Sequence, residues 1–109
     1  VVPCLAVHAG MPPVAAQASA LGLDREDCPW PLVVRWSLRS GRDYETAKAS
    51  YFPFDRIVDA DEPTRIALAG LASRAAARGR DVFITINNKA EGSAPLSVLA
   101  LAARIAAEP

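Results

Sequence analysis

The sequence predicts an α/β fold built from three consecutive strand–helix units with parallel strands. Two observations carry the prediction. Short apolar segments, Val1–His8, Leu32–Leu38 and Val82–Asn88, alternate with longer stretches in which apolar residues recur at helical spacing. Each strand segment is apolar on at least one face, and a helix separates each pair. That is the pattern of βαβ units whose parallel sheet is covered by helices.

The first strand closes at Ala9-Gly10, and Met11-Pro12-Pro13 then opens a helix, because proline is tolerated in a first turn. Val14, Ala15, Ala18 and Leu21 form its expected apolar stripe, and Gly22 its stop. The polar run Asp24–Asp27 and Pro29-Trp30-Pro31 read as a loop with a solvated face and an anchoring Trp30. After the second strand comes a long connection from Arg39 to Asp61. It holds Ser40-Gly41, the aromatics Tyr44, Tyr51, Phe52 and Phe54, and a short helix around Tyr44–Ser50. The main helix begins near Glu62-Pro63, turns Leu68, Leu71, Ala72 and Ala75 inward, and ends at Gly79. Beyond the third strand, Ser93 is the expected N-cap of a last helix with Pro95 in its first turn, running to about Ala107.

Length and charge narrow the function. The 109 residues suit one domain, and 12 basic against 12 acidic side chains give no bulk field to capture nucleic acid or an anionic membrane. Hydrophobic residues make up 51%, so the chain is globular rather than disordered, and no apolar run is long enough for a membrane helix. Cys4 and Cys28 fit neither a disulfide framework nor a zinc spacing, which points to reduced thiols in a cytoplasm. No metal-ligand spacing is present, and the sequence specifies no cofactor. The opening VVPCLAVHAG has no basic leader and begins at once as a strand. Residues 1–109 therefore read as a single partial domain, an excerpt whose raw sheet edges need the remainder of a larger sheet, or a second copy, to cover them.

Alternation sorts the strand residues onto two faces. Leu5, Val7, Val34, Trp36, Leu38, Val82, Ile84 and Ile86 face the helices; His8, Arg35, Ser37, Thr85 and Asn87 share the other surface, toward the strand C-termini. In parallel α/β folds that end binds ligands.

These residues also carry a resemblance. Arg35 within VVRWSLR, Tyr44 downstream and the stretch VFITINNKAEGSA resemble the last third of the YecE-like proteins, domain of unknown function seventy-two. Arg35 matches the family's strand Arg, Asn87 and Asn88 its paired Asn, and Gly92 and Ala94 its helix opening, over roughly residues 31–105. Ser37 stands where the family usually has His, and Ile86 where it has Phe. The resemblance implies a TIM-like β/α barrel of which this chain supplies the C-terminal three βα units. It also implies, by likeness to barrel phosphodiesterases and sugar isomerases, chemistry on phosphate or nucleic acid.

Candidate site residues follow. His8 is either a base or ligand contact, or a rim histidine satisfied by a hydrogen bond. Arg35 either clamps a phosphate or carboxylate with its fork of donors or forms a structural ion pair. Asn87 is expected to contact ligand and Asn88 to order the following loop. Lys89, Gly92, Ser93 and the last helix's N–H groups form an anion site, or else only a well-capped helix in which Glu91 serves as cap or repels the anion. Tyr44 either stacks on a base or sugar or pins its loop. Arg39 is expected to be solvated. The expected function is binding of an anionic, phosphate-containing small molecule or nucleic acid, with phosphoester hydrolysis as the reaction if the chain is enzymatic. Its acids or metal ligands would then come from elsewhere in the barrel. The competing reading is a non-catalytic module that self-associates through sheet edges or helices.

Overall fold

The apolar alternation of the three segments produces three strands, β1 (Leu5–Val7), β2 (Leu32–Trp36) and β3 (Val82–Ile86), in one sheet. The computed structural model describes residues 1–39 and 41–108, so Ser40 of the long connection lies outside the described residues. Both pairings are parallel and the spatial order is β1-β2-β3, with Val7 beside Trp36 and Trp36 beside Ile86. The connections carry α1 (Val14–Ala20), α2 (Tyr44–Tyr51) and α3 (Glu62–Ala77), and α4 (Ala94–Ala107) follows β3. The α/β class and the consecutive parallel strands are those the sequence predicts.

When strand order follows chain order, crossovers of one hand put their helices on one face of the sheet. Here α1 packs on β1, α3 on β2 and β3, and α4 on β3, while α3 also touches both α1 and α4. Leu5, Val34 and Trp36 are fully buried in the resulting core beneath Leu68, Ala69, Ala72 and Ala75 of α3. Among the described residues no helix packs on the other sheet face. Arg35, Thr85 and Asn87 are exposed there, and Phe83 keeps 57% of its surface in solvent. α2 stands apart, packing Ala47 and Tyr51 on Ala9 and Leu38 just past the ends of β1 and β2.

Caps set the helix starts. The Asp43 carboxylate accepts the Thr46 N–H at 2.8 Å, and Asp61 accepts the Thr64 N–H at 3.3 Å and its hydroxyl at 2.7 Å. Gly79, at φ +73°, ends the α3 segment as expected. At the opposite end of the sheet, Arg80 donates to the carbonyls of Trp30 (2.6 Å) and Leu23 (3.0 Å) and ties down the loop before β2. Asp24–Asp27 is exposed, with an Arg25–Asp27 ion pair, and Cys4 and Cys28 are free thiols.

Four expectations are corrected. β1 spans three residues rather than eight: extending its register puts Pro3, which has no N–H, opposite Leu32, and Val1 and Val2 are exposed. α1 starts at Val14 with Pro13 as its N-cap, because a residue followed by proline is pushed out of helical conformation. That short helix buries Val14 and Ala18 and leaves Ala15 and Leu21 exposed. Leu38 lies beyond the end of β2, so it is buried with Ala47 and Tyr51 instead of under the sheet-covering helices. Trp30, 39% exposed as a residue, is tied down through its carbonyl, which accepts from Arg80.

Candidate functional site

Parallel strands deliver same-parity residues to one face, and three strand ends here deliver four polar groups to one place. His8 follows β1, Arg35 and Ser37 lie at the end of β2, and Asn87 follows β3; Arg35 and Asn87 are exposed on the face without helices, and His8 at the rim also borders a cavity lined by α1 and α3. With Lys89 and Tyr44 they line a cavity of about 610 Å³. Its walls hold two cationic side chains and no carboxylate.

Each polar group is positioned by local bonding. The His8 imidazole Nδ1 lies 3.1 Å from the Ala9 carbonyl oxygen. The Arg35 side chain is exposed, and no acidic side chain among the described residues pairs with it. Asn87 turns its Oδ1 back to accept the Lys89 N–H at 2.9 Å, which leaves its NH2 as the donor end. Asn88 accepts the Ala94 N–H at 2.8 Å and so orders the loop and caps α4. Lys89 holds its ammonium over the Tyr44 ring, 4.7 Å from the centroid, and 5.7 Å from that of Phe54.

Gly92 and Ser93 are placed elsewhere, which corrects the expected grouping with Lys89. Both are buried and neither lines the cavity. Gly92 is pressed against the backbone of the 56–58 segment: a Cβ there would sit 2.5 Å from the Arg56 carbonyl oxygen. Three amides around the start of α4 have partners within the chain, Gly92 N–H with Asn88 O, Ala94 N–H with the Asn88 side chain and Ser97 N–H with Ser93 O.

Glu91 explains the displacement. It is fully buried, its carboxylate pairing with Arg65 at 2.7 Å and accepting the Asp61 N–H (2.7 Å) and the Ser97 hydroxyl (2.6 Å). Its carbonyl also accepts the N–H groups of Val58 and Asp59. Burial pulls the Arg65 pKa down, but Glu91 and Glu62 more than offset it, and the net shift is upward. Arg39, expected in solvent, instead lies 3.5 Å from buried Asp61. These long-range partners stand far apart in sequence, and no local spacing signals them.

The long connection is pinned by a second polar cluster. The Tyr51 hydroxyl donates to Asp59 at 2.8 Å and Arg42 donates to the same oxygen at 2.8 Å. Burial, and then the Asp59 bond, push the Tyr51 hydroxyl pKa up to about 12, and the Tyr51 bond is the largest cause holding Asp59 below its ordinary 3.8. The contribution of Asp59 to stability is therefore present above the unfolded carboxylate's pKa and lost as pH falls through the depressed folded value. That of Tyr51 is present below its ordinary 10.0 and lost as pH rises toward about 12. Tyr51→Phe is expected to raise the Asp59 pKa toward 3.8, measured by NMR titration of the carboxyl carbon. An unchanged Asp59 titration would contradict the bond's role.

Among the described residues no group of three or more His, Cys, Asp or Glu side chains converges, and no helix is long and apolar enough to cross a membrane. No protein-family model, curated protein or solved structure matches the chain.

Proposed function

We propose that this chain forms the C-terminal three βα units of a YecE-like β/α barrel and binds an anionic, phosphate-containing ligand at its strand C-terminal face. One observation carries the reading: Arg35, Lys89, His8 and Asn87 meet in a single cavity, without an acid, on the sheet face that no helix covers. In a closed barrel that face is the interior, and its strand C-terminal end is where barrel enzymes place their sites. Arg35 supplies a planar fork of donors, Lys89 a second charge, and the Asn87 NH2 and His8 ring orient the ligand. Hydrolysis of a phosphoester requires acids or metal ligands from other strands, since no carboxylate lines this cavity. The thiols at Cys4 and Cys28 accord with a cytoplasmic setting.

Calorimetric titration with inorganic phosphate and with a short single-stranded oligonucleotide tests the reading. Arg35→Ala is expected to weaken binding by roughly tenfold or more, since a hydrogen bond to a charged group contributes about 1.5–3 kcal/mol. Ser93→Ala should leave affinity unchanged. Oligonucleotide binding, if that is the ligand class, weakens with added salt. Unchanged affinity in Arg35→Ala would defeat the assignment.

The second reading, a self-associating module, draws on α4. Every exposed position of that helix is apolar, including Leu96, Val98, Leu99 and Ala102. Such a surface marks a contact site. Concentration-dependent dimerisation in sedimentation, lost in Leu99→Glu, would favour this reading.

A further inference from the structure

The two edges of the sheet are not equivalent. On β1, the Val7 carbonyl accepts the N–H groups of Ser37 and Leu38, so Val7 is turned toward β2. In a parallel ladder the intervening residue, Ala6, must then turn its N–H and C=O away from β2. Those two groups are bonded to the amide of Gln17 in α1. Ala6 N–H donates to Gln17 Oε1 at 3.1 Å, and Gln17 Nε2 donates to the Ala6 carbonyl at 2.8 Å. A further bond from Nε2 to the Pro12 carbonyl, at 2.7 Å, fixes the amide's orientation, since its nitrogen faces two carbonyl oxygens. The next outward carbonyl, that of His8, accepts the Met11 N–H. Because β1 is only three residues long, one side-chain amide closes its outward ladder.

Among the described residues the β3 edge is unguarded. Asn87 N–H donates to the Trp36 carbonyl, so the odd-numbered residues of β3 face β2 and Val82, Ile84 and Ile86 face outward. Among the described residues no group outside the sheet bonds to them.

We propose that Gln17 is an edge guard, its amide standing in for a neighbouring strand so that the β3 edge of one copy cannot pair with the β1 edge of the next. Such a head-to-tail pairing does not close on itself and would run on as a filament, which is the hazard that edge protection averts. A strand arriving at β1 from any source must first displace this amide. The inference rests on the backbone bonding alone and not on the anion site; within a closed barrel, the strand preceding β1 would have to take the Ala6 N–H and C=O from Gln17.

The test is sedimentation of the 109-residue chain across a concentration series, with circular dichroism as the check on folding. The wild type is expected to form no species beyond a closed dimer. Gln17→Leu removes the amide at similar size and is expected to give open-ended association. Adding Ile84→Pro, which deletes an outward N–H on an edge strand where proline is tolerated, should reverse it. A folded Gln17→Leu chain sedimenting like the wild type, or association that persists with Ile84→Pro, overturns the proposal. Should Gln17→Leu fail to fold, amide hydrogen exchange on the wild type decides. The Ala6 N–H is expected to be protected, and exchange at the rate of an unfolded chain overturns the guard.

Discussion

Glu91→Ala is expected to lower the stability of the folded chain by about 3–5 kcal/mol, the scale for removing one partner of a buried ion pair. The carboxylate is fully buried and engages three groups at once, an ion pair with the Arg65 guanidinium and hydrogen bonds from the Asp61 N–H and the Ser97 hydroxyl. Removing it strands a positive charge whose side chain is only 12% exposed, leaving it the pairing with Glu62 at 2.9 Å. Two further polar groups lose their acceptor in the same step. The Asp61 N–H belongs to the N-cap of α3, and Ser97 lies in α4, so the loss reaches both helices. Urea unfolding at neutral pH measures it, and Glu91→Gln should fall between, keeping the shape and an acceptor oxygen but losing the charge. A loss within about 0.5 kcal/mol of zero, the range of ordinary surface substitutions, would mean that Glu91 does not hold this junction.

Gly92→Ala is the second large effect. Gly92 sits at φ +129°, a conformation L side chains rarely adopt, and its added Cβ would meet the Arg56 carbonyl oxygen at 2.5 Å and the Val58 nitrogen at 2.8 Å. Backbone strain of that kind costs about 1–3 kcal/mol, and forcing a methyl into a packed site about 1–3 kcal/mol more. The segment it displaces is the one whose N–H groups at Val58 and Asp59 bond the Glu91 carbonyl, so the two substitutions damage one structure. Gly79→Ala is the internal comparison: φ is +73°, but nothing lies within 4 Å of the added carbon. It should cost only the left-handed backbone penalty of about 1–2 kcal/mol. Equal losses at the two glycines in thermal or urea unfolding would contradict the close approach at Gly92. Phosphate affinity of folded Gly92→Ala is expected to match the wild type, since the residue does not line the cavity.

Much of the architecture is legible because it is periodic. Period-two alternation in LVVRW and VFITI separates Val34 and Trp36 from Arg35, and the helical spacing of Leu68, Leu71, Ala72 and Ala75 marks the face that α3 buries. The convergence of His8, Arg35 and Asn87 is read from the same parity, once the strands are parallel. What the sequence hides is set by partners distant along the chain. Glu91 could be weighed as a helix cap, but its bond to the Asp61 N–H spans 30 residues, and nothing near it announces Arg65. The 56–58 backbone crosses Gly92 so closely that a side chain there would clash. Gln17 carries no motif: its role depends on which way Ala6 points, and that is fixed only when β1 pairs with β2.

The convergence of polar groups on the uncovered sheet face is best tested by NMR titration of the isotope-labelled chain with inorganic phosphate. Saturable shifts are expected at the Arg35 guanidinium, the Asn87 side-chain amide, the His8 ring and the Lys89 N–H, with Gly92 and Ser93 unmoved. Shifts confined to the start of α4, or no saturable shift at these four groups, would contradict the account.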